Sequence, residues 1–268
     1  TYDGKEHTVT GYDVTSISNS LYKDTDFTFN GKAEVKGTDA GTYDMELKAS
    51  DFTNTNANFS NVTFVIVDGS LTINKRPVKL TSASDEKTYD GQPLTKKEVT
   101  ASTGENEGFV KGQGAAYDVT GSQTDVGESD NTFSYTLNEG TKAENYTITK
   151  NEGTLKVTAA TNEVIVTIKE NAGTVTYDGT EKTVTGYTVK SISNTLYKAT
   201  DFEFKGTAEV NGTDAGTYDM ALKPENFENK NNNFSKVTFV IEDGQLVINK
   251  RPVKLTSASD EKTYDGQP

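Results

Sequence analysis

The chain has 268 residues, of which 32% are hydrophobic, and it carries a formal net charge of −13 with no cysteine and no tryptophan. This length suits about two to three domains, and the absence of thiols excludes cysteine nucleophiles, thiolate metal sites and disulfide-stabilised modules. The acidic balance argues against nucleic-acid binding, and no run approaches the roughly 18 apolar residues of a membrane span, so we expect no direct membrane insertion.

The chain repeats itself with a long period. Residues 1–93 align without gaps on residues 176–268, and 72 of the 93 aligned residues are identical. Two different units alternate within this period, and an array of like-sized units is typical of a repeat protein. We divide the chain into a first copy of unit A that lacks its first strand (1–76), unit B (77–161), a complete second copy of unit A (162–251) and the truncated first strand of another unit B (252–268).

One tetrapeptide, Thr-Tyr-Asp-Gly, occurs four times, at Thr1–Gly4, Thr88–Gly91, Thr176–Gly179 and Thr263–Gly266. The dipeptide Asp-Gly favours a turn, because aspartate can cap its own backbone and glycine can adopt a positive φ. We interpret each copy as the corner after the first strand of a unit, with its tyrosine packed inward.

Strands are predicted from alternation of apolar and polar residues, whereas helical periodicity is nearly absent. We expect six or seven short strands per unit and a helical turn only near Asn19–Lys23 and its copy Asn194–Lys198. The alternating runs lie at 164–169, 202–204 and 237–241 in unit A and at 116–119, 132–137, 146–149 and 155–158 in unit B.

Many short strands separated by turns predict an all-β fold of tandem immunoglobulin-like β-sandwich domains. The motif Asp-x-Gly-x-Tyr at Asp39–Tyr43 and Asp214–Tyr218 favours a tyrosine corner, in which the hydroxyl bonds back to the main chain. Unit B retains only Asp125–Gly127 of this motif, so we expect an altered corner there. Short joins at Pro77 and Pro252 favour an elongated rod. Domains of the β-grasp type are the alternative, and they would require a helix packed on the sheet.

The first copy of unit A has no counterpart of the strand over 163–169. An unpaired sheet edge is a site of strand exchange. We therefore expect the first unit to be frayed or to be completed by a strand from a neighbouring chain.

No catalytic motif is found, so we predict that the chain is not an enzyme. The strongest ligand-binding hypothesis concerns an asparagine-rich loop with a phenylalanine, because sugar sites combine an aromatic face with amide hydrogen-bond partners. The alternative is that the phenylalanine is a core anchor beside an ordinary loop. The candidate residues are Asn229, Asn231, Asn232, Asn233 and Phe234.

Two further sites are considered. Lys169 on a first strand and Asn249 on a last strand have the residue types of an intramolecular isopeptide bond. Asp85, Glu86 and Asp90 offer the hard oxygen ligands that Ca²⁺ takes, although turn capping is the alternative role for such residues. We expect no other cofactor.

The chain resembles the YDG and MBG repeat families of bacterial surface proteins. The resemblance lies in three motifs, namely the Tyr-Asp-Gly corner, the Gly-Thr-Tyr strand and the Gly-x-Leu-x-Ile strand before Arg-Pro (Gly69–Pro77, Gly244–Pro252). The likeness covers essentially the whole chain. It implies an extracellular segment of a cell-wall-attached or secreted protein, acting as a stiff stalk or as a weak multivalent adhesin for host glycans or mucin. The alternative function is a glycan-binding accessory module of a secreted polysaccharide-degrading enzyme.

Overall fold

The computed structural model describes residues 1–267, which are 42% strand and contain no α-helix. The all-β prediction is confirmed, and the helix that a β-grasp domain requires is not found in this part of the chain. Three short 3-10 turns occur, at Ala49–Asp51, Ala143–Asn145 and Pro224–Asn226. The predicted helical turns are wrong, because Asn19–Lys23 and Asn194–Lys198 form simple hydrogen-bonded turns.

Unit B and the second copy of unit A have more strands than predicted, because glycines and irregularities split the alternating runs. Gly186, for example, has a φ of +84° and separates two strands of one run. Among residues 1–267 the first copy of unit A has six strands, unit B has eight and the second copy of unit A has ten. They are β1 His7–Thr10, β2 Phe27–Phe29, β3 Glu34–Gly37, β4 Gly41–Asp44, β5 Phe52–Asn54, β6 Ser70–Ile73, β7 Arg76–Ser82, β8 Asp85–Thr88, β9 Val99–Ala101, β10 Ala115–Val119, β11 Gly127–Asn131, β12 Phe133–Leu137, β13 Tyr146–Asn151, β14 Gly153–Thr158, β15 Val164–Glu170, β16 Gly173–Thr176, β17 Lys182–Thr185, β18 Tyr187–Ile192, β19 Phe202–Phe204, β20 Glu209–Gly212, β21 Gly216–Asp219, β22 Phe227–Asn229, β23 Val237–Glu242 and β24 Gln245–Asn249.

By its contacts the chain divides into two compact bodies. The first body comprises Thr1–Glu86, Pro93–Gln123 and Gly127–Lys156. The second comprises Lys87–Gln92, Thr124–Val126 and the chain from Val157 onward. The first body therefore holds the first copy of unit A with most of unit B, and the second holds the second copy of unit A with two short segments of unit B.

The second copy of unit A contains two three-stranded sheets, with the orders β18-β15-β23 and β16-β24-β21. In each sheet a strand from the start of the unit runs parallel to one from its end: β15 pairs with β23, and β16 pairs with β24. The side chains of Val164, Val166 and Ile168 on β15 are fully buried, and they share one core cluster with Leu246 and Ile248 on β24. Both sheets thus contribute to a single core.

Glu170 ends β15 as a buried carboxylate that satisfies two main-chain donors. Its oxygens accept the N–H groups of Leu222 at 2.5 Å and Gly244 at 2.7 Å. A buried charge of this kind is tolerated only where hydrogen bonds replace its hydration. The residue therefore holds both the segment after β21, at Leu222, and the bend before β24, at Gly244.

Unit B likewise pairs its first strand in parallel with a strand near the end of the unit. Its first strand, β7, runs parallel to β13 and antiparallel to β9, and a second sheet has the order β11-β14-β8. The core of the first body includes Val78, Leu80 and Phe133. Alternation along β7, with buried residues at every second position, places Val78 and Leu80 inward.

The first copy of unit A has only two-stranded pairs, β1-β3, β2-β5 and β4-β6. Residues 12–17 and 62–67, the counterparts of β18 and β23, form no strand. Val65 is 85% exposed and Val67 is 92% exposed. The reason is the lack of a counterpart of β15 in the described residues, since that strand pairs with both neighbours in the second copy. This edge has no strand partner among the described residues, and completion by a strand from a neighbouring chain stays a prediction.

The strand predicted over 252–268 is not formed in residues 252–267. Val253 and Leu255, the counterparts of buried Val78 and Leu80, are 81% and 90% exposed. The same sequence forms β7 only where β13 and β9 lie on either side of it. The described part of the chain contains no such partners for the second occurrence.

Candidate functional site

The four Tyr-Asp-Gly turns have the predicted aspartate cap and the predicted positive φ at glycine. In each copy the aspartate side chain accepts the N–H of the residue two positions later, at 2.9 to 3.1 Å. The glycine has a φ between +76° and +81° in every copy. The position of the turn differs from the prediction, because Tyr89 and Tyr177 follow the second strand of their units.

The tyrosines of these turns are buried only where another unit covers them. Tyr2 is 3% exposed, and Tyr89 packs against the core of the second body. Tyr177 is 37% exposed and Tyr264 is 93% exposed. The prediction of inward packing is therefore right for the first two copies and wrong for the other two.

The first junction, inside the first body, consists of Tyr2, Asp39 and Ala40 of unit A with Asn145 and Tyr146 of unit B. The Asn145 amide donates to Asp39 Oδ1 at 2.8 Å, and its Oδ1 accepts the Ala40 N–H at 2.6 Å. The rings of Tyr2 and Tyr146 meet edge to face, with centroids 5.5 Å apart. Asn145 is fully buried, so both of its polar atoms depend on these partners.

Two cations strengthen the first junction. Lys142 pairs with the second oxygen of Asp39 at 2.5 Å, and this ammonium, followed by the Asn145 amide, lowers the pKa of the Asp39 carboxyl. Arg76 is buried at the join between the units and donates to the carbonyls of Gly108 at 2.8 Å and Glu107 at 2.9 Å. The guanidinium thus anchors a loop of unit B beside the first junction.

The second junction, inside the second body, consists of Tyr89, Asp125 and Val126 of unit B with Asn233 and Phe234 of unit A. The Asn233 amide donates to Asp125 Oδ1 at 2.9 Å, and its Oδ1 accepts the Val126 N–H at 2.7 Å. The rings of Tyr89 and Phe234 meet edge to face at 5.5 Å. Two different pairs of units are therefore joined by the same two hydrogen bonds and the same ring contact.

The tyrosine corner shapes the aspartate side of the first junction. The Tyr43 hydroxyl donates to the Asp39 carbonyl at 3.0 Å, as predicted from the motif, and Tyr218 donates to Asp214 at the same distance. A Cβ on Gly37 would lie 2.4 Å from the Tyr43 ring, so only glycine fits beneath it. The corner holds Asp39 and Ala40 in place for the Asn145 amide.

The predicted sugar-binding loop is the asparagine side of the second junction. Asn229 Oδ1 accepts the Tyr197 hydroxyl at 2.9 Å and the Asn231 N–H at 2.9 Å, while Asn231 Oδ1 accepts the Asn233 N–H at 2.9 Å. Phe234 is a buried core residue, as the alternative interpretation expected. Only Asn232 of the five candidates is exposed, and glycan binding by this loop stays a prediction.

The structure does not bring Lys169 and Asn249 together. Lys169 is exposed on β15, where it pairs with Glu242 and Thr188, and Asn249 is exposed on β24 in the other sheet. The dry core that an isopeptide bond needs is lined by neither side chain.

The calcium candidates take part in local contacts. Asp85 and Glu86 line a shallow depression that also contains the cation of Lys156. Asp90 accepts hydrogen bonds from Lys87 at 2.6 Å and from the Gln92 N–H at 2.9 Å, which lower the pKa of its carboxyl. Among residues 1–267 no group of three or more acidic or histidine side chains is placed to hold a metal ion.

Asn145 and Asp39 were missed by the sequence analysis, because residues 106 positions apart give no local signal. A signal does exist in the recurrence of two short patterns. Asparagine followed by an aromatic residue occurs at Asn58–Phe59, Asn145–Tyr146 and Asn233–Phe234, and also away from the junctions at Asn226–Phe227. Asp-x-Gly occurs at 39–41, 125–127 and 214–216.

Comparison with known proteins gives one finding. A family model described as MBG domain matches residues 1–75 and 163–250, which are the two copies of unit A and more than half of the chain. The resemblance to MBG repeats is thereby confirmed, and it indicates a repeat module of a surface protein. No curated protein and no solved structure matches the chain. None of the helices in residues 1–267 has the length and apolar character needed to cross a membrane.

Proposed function

Because the chain belongs to the MBG domain family, we propose that it is a stiff, non-enzymatic stalk segment of a bacterial surface protein. The segment lies outside the cell, attached to the cell wall or secreted. Its role is to hold an adhesive region at a distance. Duplication of a unit with 72 identities in 93 positions adds length without adding an active site.

One observation supports this role above the others, namely that both junctions are built alike. Each combines an edge-to-face ring pair with two hydrogen bonds of one asparagine side chain, which donates to an aspartate carboxylate and accepts the N–H of the next residue. A flexible tether would have solvated, variable joins. Paired polar contacts of fixed geometry instead restrict bending at each join.

Weak adhesion is the second candidate. Asn232 is exposed on the loop of the second copy of unit A, and Ala57 stands at the same position in the first copy. A weak site of this kind gains avidity where it recurs on linked units. Binding of the full chain to immobilised glycans and mucin, with and without Ca²⁺, tests this role. Saturable binding that Asn232→Ala weakens supports it, and no binding in either condition overturns it.

Distance measurements between spin labels test the stalk. The native chain has no cysteine, so Lys32→Cys with Lys111→Cys reports on the first junction, and Lys111→Cys with Lys205→Cys reports on the second. We expect a narrow distance distribution for each pair. Asn145→Ala should broaden only the first distribution, and Asn233→Ala only the second. Broad distributions in the parent chain would refute a stiff segment.

A further inference from the structure

The second copy of unit A carries an unused counterpart of the first junction. Tyr177, Asp214 and Ala215 stand at the positions of Tyr2, Asp39 and Ala40, 175 residues further along. They line one surface depression, together with Lys250 and Arg251.

This surface already has the local contacts that its counterpart makes in the first junction. The Tyr218 hydroxyl holds the Asp214 carbonyl at 3.0 Å, and the Asp178 side chain caps the N–H of Thr180 at 3.0 Å. Tyr177 is 37% exposed, whereas its counterpart Tyr2, which packs on unit B, is 3% exposed. Ala215, whose counterpart Ala40 bonds to Asn145, is exposed in the described chain. A preformed surface binds its partner without a large ordering cost.

We propose that Tyr177, Asp214 and Ala215 form a docking surface for a second unit B, which would present its asparagine and tyrosine as Asn145 and Tyr146 do. This inference rests on the proposed function, because it extends the junctions of the stalk by one.

Several features select unit B rather than another partner. In the first junction the Tyr2 hydroxyl accepts a hydrogen bond from Gln113 at 2.7 Å, and Lys142 neutralises Asp39. Both partners belong to unit B. The segment after Arg251 also has the sequence of the start of unit B, since residues 252–267 are identical to residues 77–92. Arg251 is exposed, whereas Arg76 is buried against unit B.

Amide hydrogen exchange of an extended chain tests the proposal. Residues 94–161 are appended after Pro268, which completes a second unit B behind the second copy of unit A. In the parent chain we expect slow exchange at the Ala40 and Val126 amides and fast exchange at Ala215. In the extended chain Ala215 should become about as protected as Ala40. Val253 and Leu255, now in a strand, should become protected as well.

A matched variant isolates the junction. Replacing the appended counterpart of Asn145 by alanine should leave Val253 and Leu255 protected and return Ala215 to fast exchange, while Ala40 stays unchanged. Protection at Val253 without protection at Ala215 would overturn the docking surface and leave the stalk intact. An extended chain in which neither gains protection would also overturn it, because the same unit folds at residues 77–161. Fast exchange at Ala40 and Val126 in the parent chain would instead overturn the stalk.

Discussion

Replacing Asn233 by alanine should loosen the second junction. The substitution removes one hydrogen bond to the Val126 N–H at 2.7 Å and one to the Asp125 carboxylate at 2.9 Å. A neutral bond contributes about 0.5–1.5 kcal/mol and a bond to a charged group about 1.5–3 kcal/mol. Because the bond to Asp125 is exposed to solvent, we expect about 1–3 kcal/mol in total, which corresponds to about 5- to 150-fold faster exchange of the Val126 amide.

Asn58 provides the matched control. It is the counterpart of Asn233 in the first copy of unit A and it is exposed, so Asn58→Ala should change stability by less than about 0.5 kcal/mol. Hydrogen exchange followed by mass spectrometry compares the two variants with the parent, and urea unfolding followed by circular dichroism checks that both remain folded. Equal effects of the two substitutions, or unchanged exchange at Val126 in Asn233→Ala, would refute the junction as a stabilising contact.

Three further predictions concern other parts of the chain. Glu170→Ala leaves two buried N–H groups without acceptors and should cost about 2–6 kcal/mol in urea unfolding. Glu242→Ala removes only the exposed ion pair with Lys190 and should cost less than about 1 kcal/mol. Similar losses in the two variants would argue against the buried-carboxylate role. The Glu228 carboxyl beside Lys205 and Lys230 has a pKa lowered to about 2, so its ion pairs stabilise the fold fully above the ordinary glutamate pKa of about 4.3, and this contribution is lost as pH falls toward 2. A carboxyl titration by NMR should show that midpoint, Lys205→Ala should raise it, and an ordinary midpoint in the parent would contradict the assignment. A synthetic peptide of residues 161–172 should slow amide hydrogen exchange at residues 12–17 and 62–67, because it supplies the missing strand. The same peptide with Val164→Thr, Val166→Thr and Ile168→Thr should not slow it. Equal effects of the two peptides would rule out strand completion.

The sequence predicted those parts of the fold that depend on neighbouring residues. Alternation along 164–169 marks a strand because every second side chain is buried, and Asp-x-Gly-x-Tyr marks a corner because the hydroxyl reaches a carbonyl four residues back. Contacts between units were not predicted, since Asn145 and an ordinary turn-capping asparagine look the same in one sequence. Tyr177 shows the same limit, because its tetrapeptide equals that of Tyr2 and only the presence of a covering unit decides its burial.

The parallel pairing of strands from the beginning and the end of a unit determines how these units would carry tension. When the two ends of the second copy of unit A are pulled apart, β15 slides along β23 and β16 along β24, so the hydrogen bonds of each pair are loaded together. Unit B would be loaded in the same shear geometry through β7 and β13. Bonds that must break together resist force better than bonds that open one after another, and forced unfolding is governed by the unfolding rate. The first copy of unit A has no such pair among its described strands.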